Sequence, residues 1–366
     1  MIGLIIYYEG AKSIEEWLTS ILPNIEISFR KIPVRNDSKD FDNLPENIKD
    51  LLYLDKPDII ISGKITNNSY KPFVTIELAS CTPQYQHALQ RFPRMLGSIS
   101  RNCPSFLIMP STKRENSVGL RLYKRSQAID YAAFRLMELF SVPAFVLDWP
   151  SDKNGYLIFN KQDNLPPIDS KEMNLLKEFL NLSLENYKKQ NFIPKVMGGE
   201  IVEKLTKYSR EKAFKNGRPN FEKPSGNRSA KSNAKLNLLD TENLISEILT
   251  RQIISEKEKK LIPSKVFKRK KSIVMYPTRI LEHAGDPYVG MICYYDIAFC
   301  RNGKDTINRD YNLIAYCRNL SKYQIKKYWD QLEIESIENI KVSKPVRIYY
   351  EIADLIIFND GILYKD

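Results

Sequence analysis

The chain has 366 residues, of which 43% are hydrophobic, and a formal net charge of +12. It contains no run of 18 apolar residues, so we expect no transmembrane helix. With only two histidines, neither a Ser-His-Asp triad nor a zinc site built from Cys and His is expected. The five cysteines are odd in number and form no CxxC motif, which is typical of reduced thiols in a cytoplasmic protein.

The apolar periodicity of residues 1–190 predicts a mixed α/β domain. We expect strands at 2–8, 25–33, 58–62, 73–78, 105–109 and 144–148, and helices at 13–22, 45–54, 83–101, 126–140 and 170–189. Ser13 and Glu16 have the spacing of a capping box, which favours a helix start at this point. Pro93 is expected to kink or interrupt the helix that opens at Pro83.

The remaining sequence predicts a basic linker at 191–236 and a second domain at 237–366. Within the linker, residues 206–236 are polar, basic and rich in turn-forming residues. The second domain is expected to begin with a helix at 240–254 and to be rich in strands from residue 272 onwards. The expected fold class is therefore α/β, in the mixed α+β sense, with a strand-rich C-terminal domain.

Positive charge is concentrated in two segments, residues 203–235 and 256–271, with net charges of +7 and +6. The rest of the chain is close to neutral. Such patches suggest a polyanionic partner, most simply nucleic acid, although a solvated linker would also account for them. Four consecutive basic residues in the second patch are candidate DNA contacts: Lys268, Arg269, Lys270 and Lys271.

Two carboxylates occur on predicted strands that are otherwise apolar. Asp58 opens the run DIIIS, and Glu77 lies inside FVTIEL. An antiparallel hairpin places the start of its first strand beside the end of its second, so we expect these two side chains to be close together. They would repel each other unless one is protonated or a cation lies between them, and an oxygen-rich pair suits Mg²⁺. Alternatively, Asp58 caps a turn and Glu77 forms a structural ion pair with Arg91 or Arg94.

This stretch resembles the PD-(D/E)XK nuclease superfamily. Pro57-Asp58, followed after 18 residues by Glu77-x-Ala79, is similar to most of that motif, in the order strand, loop, strand, helix. The segment QRFPR at 90–94 resembles the Gln- and Arg-rich helix that follows the motif in many type II restriction endonucleases. The resemblance implies a restriction-endonuclease-like mixed sheet flanked by helices, and Mg²⁺ bound by Asp58 and Glu77.

The sequence departs from this pattern at Ala79, which stands where the family has a lysine that helps to position or activate water. Gln86 and Gln90 are candidate substitutes for that lysine. Some members add a glutamate from a helix before the hairpin, for which Glu46 is the best-placed candidate here and Glu16 the second. Arg91 and Arg94 are candidate contacts to DNA.

The resemblance implies a Mg²⁺-dependent endonuclease that cuts double-stranded DNA at specific sequences. It also implies a homodimer and a companion DNA methyltransferase that protects host DNA. The alternative is a catalytically inactive DNA-binding or phage-defence protein that retains the nuclease fold. That protein would bind DNA with a steep salt dependence but would not cleave it, and a plain interaction scaffold would do neither.

Overall fold

In the computed structural model the chain forms two compact units, Met1–Pro219 and Asn220–Asp366. The structure describes residues 3–33, 39–66, 69–80, 91–115, 121–160, 164–188, 199–217, 234–277, 311–329 and 346–365. Both units combine helices with sheets that mix parallel and antiparallel strands, so the predicted α/β class is confirmed. Within the described ranges, no helix has the length and apolar character needed to cross a bilayer.

The first unit is built on a six-stranded sheet. Its strands are β1 (Gly3–Tyr8), β2 (Glu26–Lys31), β3 (Ile59–Thr66), β4 (Ser69–Leu78), β5 (Ser105–Pro110) and, after a separate ribbon of β6 (Thr112–Glu115) and β7 (Arg121–Lys124), β8 (Ala144–Trp149). The strand order is β2-β1-β3-β4-β5-β8. β3 is antiparallel to both of its neighbours, and the other neighbouring pairs are parallel. The inner strands are continuous apolar runs because helices cover both of their faces.

Helices of the first unit are α1 (Ser13–Ile21), α2 (Lys39–Asp42), α3 (Glu46–Leu51), α4 (Phe92–Ile99), α5 (Gln127–Phe140), α6 (Lys171–Lys188) and α7 (Glu200–Ala213). On one face of the sheet, the ring of Phe179 in α6 packs against Phe106 at 5.0 Å between centroids. On the other face, Thr75 Oγ1 donates a hydrogen bond to Ser98 Oγ in α4 at 2.8 Å. Glu77 shares the face of Thr75 because the two residues are separated by two positions on β4.

Two expectations about local structure differ from what is observed. The predicted capping box is wrong, because Lys12 holds the N-cap position of α1 and no side chain caps the helix. Helix α7 lies inside the segment expected to be a linker, and it belongs to the first unit. Its apolar residues, including Ile201 and Leu205, recur at helical spacing and are buried. The predicted helix from 83 to 90 lies outside the described residues.

The second unit contains a five-stranded sheet in the order β13-β12-β11-β10-β9. Its strands are β9 (Ala234–Asp240), β10 (Lys271–Pro277), β11 (Tyr311–Tyr316), β12 (Leu355–Ile357) and β13 (Ile362–Leu363), and its helices are α8 (Thr241–Thr250), α9 (Glu256–Lys259), α10 (Ser264–Phe267), α11 (Lys322–Trp329) and α12 (346–352). Strands β10, β11 and β12 are parallel to one another. The described part of the second unit contains more helix than its strand-rich sequence pattern predicts. Residues 278–310, within the stretch expected to be rich in strands, lie outside the described residues.

Candidate functional site: a carboxylate pair at the end of the first sheet

The hairpin of β3 and β4 brings Asp58 and Glu77 together. Ile59 pairs with Ile76 in the antiparallel ladder, so the next position along each strand sets Asp58 opposite Glu77. The backbone N–H of Leu78 donates to Asp58 Oδ2 at 2.6 Å. The N–H of Glu9, just after β1, donates to the Asp58 carbonyl at 2.8 Å. Asp58 is therefore fixed between two neighbouring strands.

Two arginines around the start of α4 reach this pair. Arg91 Nη1 donates to Glu77 Oε1 at 2.8 Å, and Arg94 Nη1 donates to the same oxygen. Arg94 Nη1 also lies 3.9 Å from Asp58 Oδ1, and Arg94 Nε lies 3.6 Å from Asp55 Oδ1. Three carboxylates thus share two guanidinium groups. If all five groups are ionised, this cluster has a net charge of −1.

Burial raises the pKa of two carboxyl groups in this cluster, Asp58 and Glu77. Glu77 is only 3% exposed, and burial together with the neighbouring Asp58 charge raises its pKa to about 8, against the opposing effect of Arg94 and Arg91. Burial also raises the pKa of Asp58, although the Leu78 N–H and the arginines favour its ionised form. Glu77 Oε2 is buried and has no hydrogen-bond partner among the described residues. The pair therefore favours either a bound proton or additional positive charge.

The carboxylate oxygens of Asp58 and Glu77 would suit a hard divalent cation, but the neighbouring arginine would not. Two adjacent carboxylates, one with a buried oxygen that lacks a hydrogen bond, are ligands that Mg²⁺ accepts. The guanidinium of Arg94 competes with a metal for these oxygens because it contacts Glu77 and approaches Asp58. Within the described ranges, no cluster of three or more Asp, Glu, His or Cys side chains has the arrangement of a metal site. A cation here would need water or phosphate oxygens to complete its coordination.

Ala79, which the resemblance places where the nuclease family has a lysine, lies directly after β4. Ala79 is buried, and its N–H donates to the Ile108 carbonyl of β5 at 2.9 Å. Its methyl side chain carries no polar group to assist a reaction. The two proposed substitutes, Gln86 and Gln90, lie outside the described residues. Glu46 opens α3 with its side chain 84% exposed and bonded to Lys49 at 2.8 Å, so its recorded partner is a lysine of its own helix.

The four consecutive basic residues of the second unit have two different environments. Lys268, Lys270 and Lys271 are exposed. Arg269 instead forms an ion pair with Asp354 at 3.2 Å and donates to Asn312 Oδ1 at 3.2 Å. Asp354 in turn accepts the N–H of Leu313 at 2.9 Å. Three of these residues are therefore available to a polyanion, whereas Arg269 joins the strands of the sheet.

A second charged cluster at the same end of the sheet escaped the sequence analysis. Arg125 donates to Asp130 Oδ1 at 2.7 Å, to Asp148 Oδ1 at 2.8 Å and to the Met109 carbonyl at 2.9 Å. Lys212 of α7 pairs with the other oxygen of Asp148. Strand register places Asp148 on the same sheet face as Glu77. The only signal in the sequence was a carboxylate ending an apolar run, AFVLD, as in the hairpin.

Arg125 and Lys212 balance the charges of Asp130 and Asp148. The two cations lower the pKa of Asp148, although its burial acts in the opposite direction. Because all four groups are paired, this second cluster is best explained as a structural network at the end of β8. The carboxylate pair of Asp58 and Glu77 remains the candidate site. Comparison with protein families, curated proteins and solved structures found no match to this chain.

Proposed function

We propose that this protein is a Mg²⁺-dependent endodeoxyribonuclease that hydrolyses phosphodiester bonds of double-stranded DNA. One observation carries the proposal. The carboxylates of Asp58 and Glu77 face each other across the β3–β4 hairpin, and Glu77 Oε2 lacks a hydrogen-bond partner among the described residues. Two carboxylates this close, one of them with a buried oxygen that lacks a hydrogen bond, are costly even beside Arg91 and Arg94, and such perturbed groups cluster at functional sites.

Asp58 and Glu77 would hold the cation in this scheme. Bound Mg²⁺ supplies an activated water and stabilises negative charge on the reacting phosphate. The Leu78 N–H fixes the orientation of the Asp58 carboxylate, and the strand ladder fixes Glu77 opposite it. Arg91 lies at the more open side of the cluster, with 29% of its side chain exposed, where it can bind a phosphate oxygen.

The wider assignment follows the family resemblance. We propose sequence-specific cleavage by a homodimer in the cytoplasm, with a companion methyltransferase to protect host DNA. The exposed lysines at 268, 270 and 271 would bind the phosphate backbone. The water-activating role that a lysine has in this family would pass to Gln86 or Gln90.

A second candidate function is non-catalytic DNA binding. Two observations favour it: Ala79 has no functional group at the place of the family's lysine, and Arg94 already provides positive charge between the carboxylates. Such a protein would retain the sheet and its basic surface as a defence component or DNA-binding subunit. It would need no divalent cation to hold DNA.

Cleavage of long unmethylated plasmid and phage DNA separates the two candidates. The wild type, Glu77→Gln and the matched surface variant Glu185→Gln are compared with Mg²⁺ and with EDTA. Glu185 is exposed on α6, which covers the opposite sheet face, so this change removes one carboxylate away from the pair. Discrete Mg²⁺-dependent fragments from the wild type and Glu185→Gln, lost in Glu77→Gln, would support the nuclease. Salt-sensitive DNA binding without cleavage by the wild type would support the second candidate.

A further inference from the structure

The two-stranded ribbon β6–β7 follows directly from the inner strand β5. Its antiparallel register runs from Thr112 opposite Lys124 to Glu115 opposite Arg121. It forms its own small sheet and does not join the six-stranded one. Because β5 is parallel to β4, the ribbon begins at the same end of the main sheet as Glu77.

The base and one side of the ribbon are held in place by hydrogen bonds. Arg125, just after β7, donates its backbone N–H to the Ser111 carbonyl at 2.7 Å, and its guanidinium is fixed in the buried cluster described above. On one side, Arg114 donates its N–H to the Gly155 carbonyl at 2.7 Å and its Nε to the Asn154 carbonyl at 2.8 Å. The ribbon therefore has a fixed position relative to the main sheet.

One face of the ribbon is continuous with the carboxylate site. Lys113 Nζ donates to the Ser80 carbonyl at 2.9 Å, and Ser80 is three residues beyond Glu77. Lys113 pairs with Tyr123 in the register, so these two side chains project on the same face of the ribbon. A ligand that covers the end of β4 would therefore also meet this face.

The ribbon carries more positive than negative charge. Its two strands contain the four basic residues Lys113, Arg114, Arg121 and Lys124 and one acidic residue, Glu115. Arg121 and Lys124 are exposed. Exposed charge of one sign beside a carboxylate site attracts an anionic ligand that extends beyond that site.

We propose that the ribbon β6–β7 is a binding element for double-stranded DNA that contacts phosphates on both sides: Arg121 lies on the face of Lys113 and Tyr123, and Lys124 lies on the opposite face. The proposal rests on the proposed function, because the duplex it binds is the substrate of the carboxylate pair. The major groove of B-DNA is about 12 Å wide and admits a two-stranded ribbon. A ribbon fixed at its base binds with little loss of conformational freedom.

The test is duplex binding by the full-length protein in EDTA, where cleavage does not interfere. Fluorescence anisotropy of a labelled duplex is measured over a range of salt concentrations for the wild type and for Arg121→Gln/Lys124→Gln. The matched control, Lys12→Gln/Lys171→Gln, removes the same charge from exposed residues at the starts of α1 and α6. Loss of two phosphate contacts should weaken binding about 10-fold or more and reduce the slope of log K against log salt by about 2.

The outcomes test the ribbon proposal separately from the nuclease proposal. The ribbon proposal is supported if Arg121→Gln/Lys124→Gln binds the duplex more weakly and with a smaller salt slope while the affinity of the control variant is unchanged. This holds even if no cleavage is found. Equal affinities for the wild type and the ribbon variant would overturn the ribbon while leaving the carboxylate site untouched. An equal loss of affinity for single-stranded DNA and duplex DNA would overturn the assignment to the double-stranded form. No duplex binding by the wild type would overturn the ribbon, and the cleavage assay with Mg²⁺ would then decide the nuclease separately.

Discussion

Arg94 donates to Glu77 Oε1 through the same nitrogen, Nη1, that lies 3.9 Å from Asp58 Oδ1. A single guanidinium therefore occupies part of the space in which a metal would meet both carboxylates. Neutralisation by arginine and neutralisation by Mg²⁺ are alternatives at this site, and several measurements distinguish them.

Replacing Arg94 with glutamine should destabilise the first unit. The change leaves Glu77 and its neighbours with one cation fewer, and breaking such a pair at a largely buried position costs about 3 kcal/mol. Millimolar Mg²⁺ should restore more of the free energy of unfolding in this variant than in the wild type. Urea unfolding, followed through the buried Trp17 and Trp149, gives both quantities. Arg94→Lys is the control that keeps the charge, and an identical Mg²⁺ response in all three proteins would contradict competition.

The pKa of Glu77 gives a prediction for pH. Its value of about 8 in the folded state is above the ordinary 4.5, so the folded state retains the proton after the unfolded state has lost it. Stability from this group is fully present below about pH 4.5 and is lost as pH rises to about 8. The difference from Glu77→Gln over this range should reach up to about 5 kcal/mol.

Urea unfolding at a series of pH values measures this difference. Glu185→Gln serves as the control, because its exposed carboxylate should leave the pH profile unchanged. If the wild type instead gains stability relative to Glu77→Gln above pH 4.5, the two arginines outweigh burial and the neighbouring Asp58.

The buried cluster around Arg125 should contribute strongly to stability. Arg125→Leu would leave Asp130 and Asp148 with unbalanced charge, at a cost of about 4 kcal/mol in the free energy of unfolding. The comparison is Lys204→Leu, whose ion pairs with Glu178 and Glu200 are exposed to solvent and are expected to contribute little to stability. Similar losses for the two variants would mean that the Arg125 cluster is not a tightly packed network.

Asn312 should have a comparable structural role in the second unit. Its buried side-chain amide donates to the Val266 carbonyl at 2.8 Å and to Ser272 Oγ at 3.2 Å, and its oxygen accepts from Arg269. Asn312→Ala removes these hydrogen bonds from a buried site, while Arg269 and Ser272 each keep another partner, Asp354 and Thr241 respectively, so the expected cost is about 2 kcal/mol. Hydrogen exchange of the β10 and β11 amides measures the loss. Asn243→Ala, near the start of α8, is the exposed control and should leave the exchange rates unchanged.

The β3–β4 hairpin could be predicted because the residues that define it are close together in the sequence. Two apolar runs around a polar turn set the strands, and the alternation of side chains then sets Asp58 beside Glu77. The sequence offers Arg91 and Arg94 as ion-pair partners of Glu77, but it does not distinguish them from a metal ion. That choice depends on how α4 packs on the sheet, which no local pattern records.

The cluster of Arg125, Asp148 and Lys212 could not be predicted for a different reason. Its members are separated by 23 and 64 positions in the chain, and they meet only after strands and helices have packed. Helix α7 was missed because its charged residues resemble the basic segment that follows it. Its buried residues recur at helical spacing, but overall composition outweighed that signal.

The position of α7 determines how far a separately expressed first unit must extend. Phe214, just after this helix, packs its ring against Tyr131 at 5.5 Å and Phe134 at 5.8 Å between centroids. A fragment that ends at residue 190, where the sequence suggested a boundary, would expose these rings and remove Lys212 from Asp148. Expression of the first unit on its own should therefore extend to Pro219, and shorter versions are expected to aggregate.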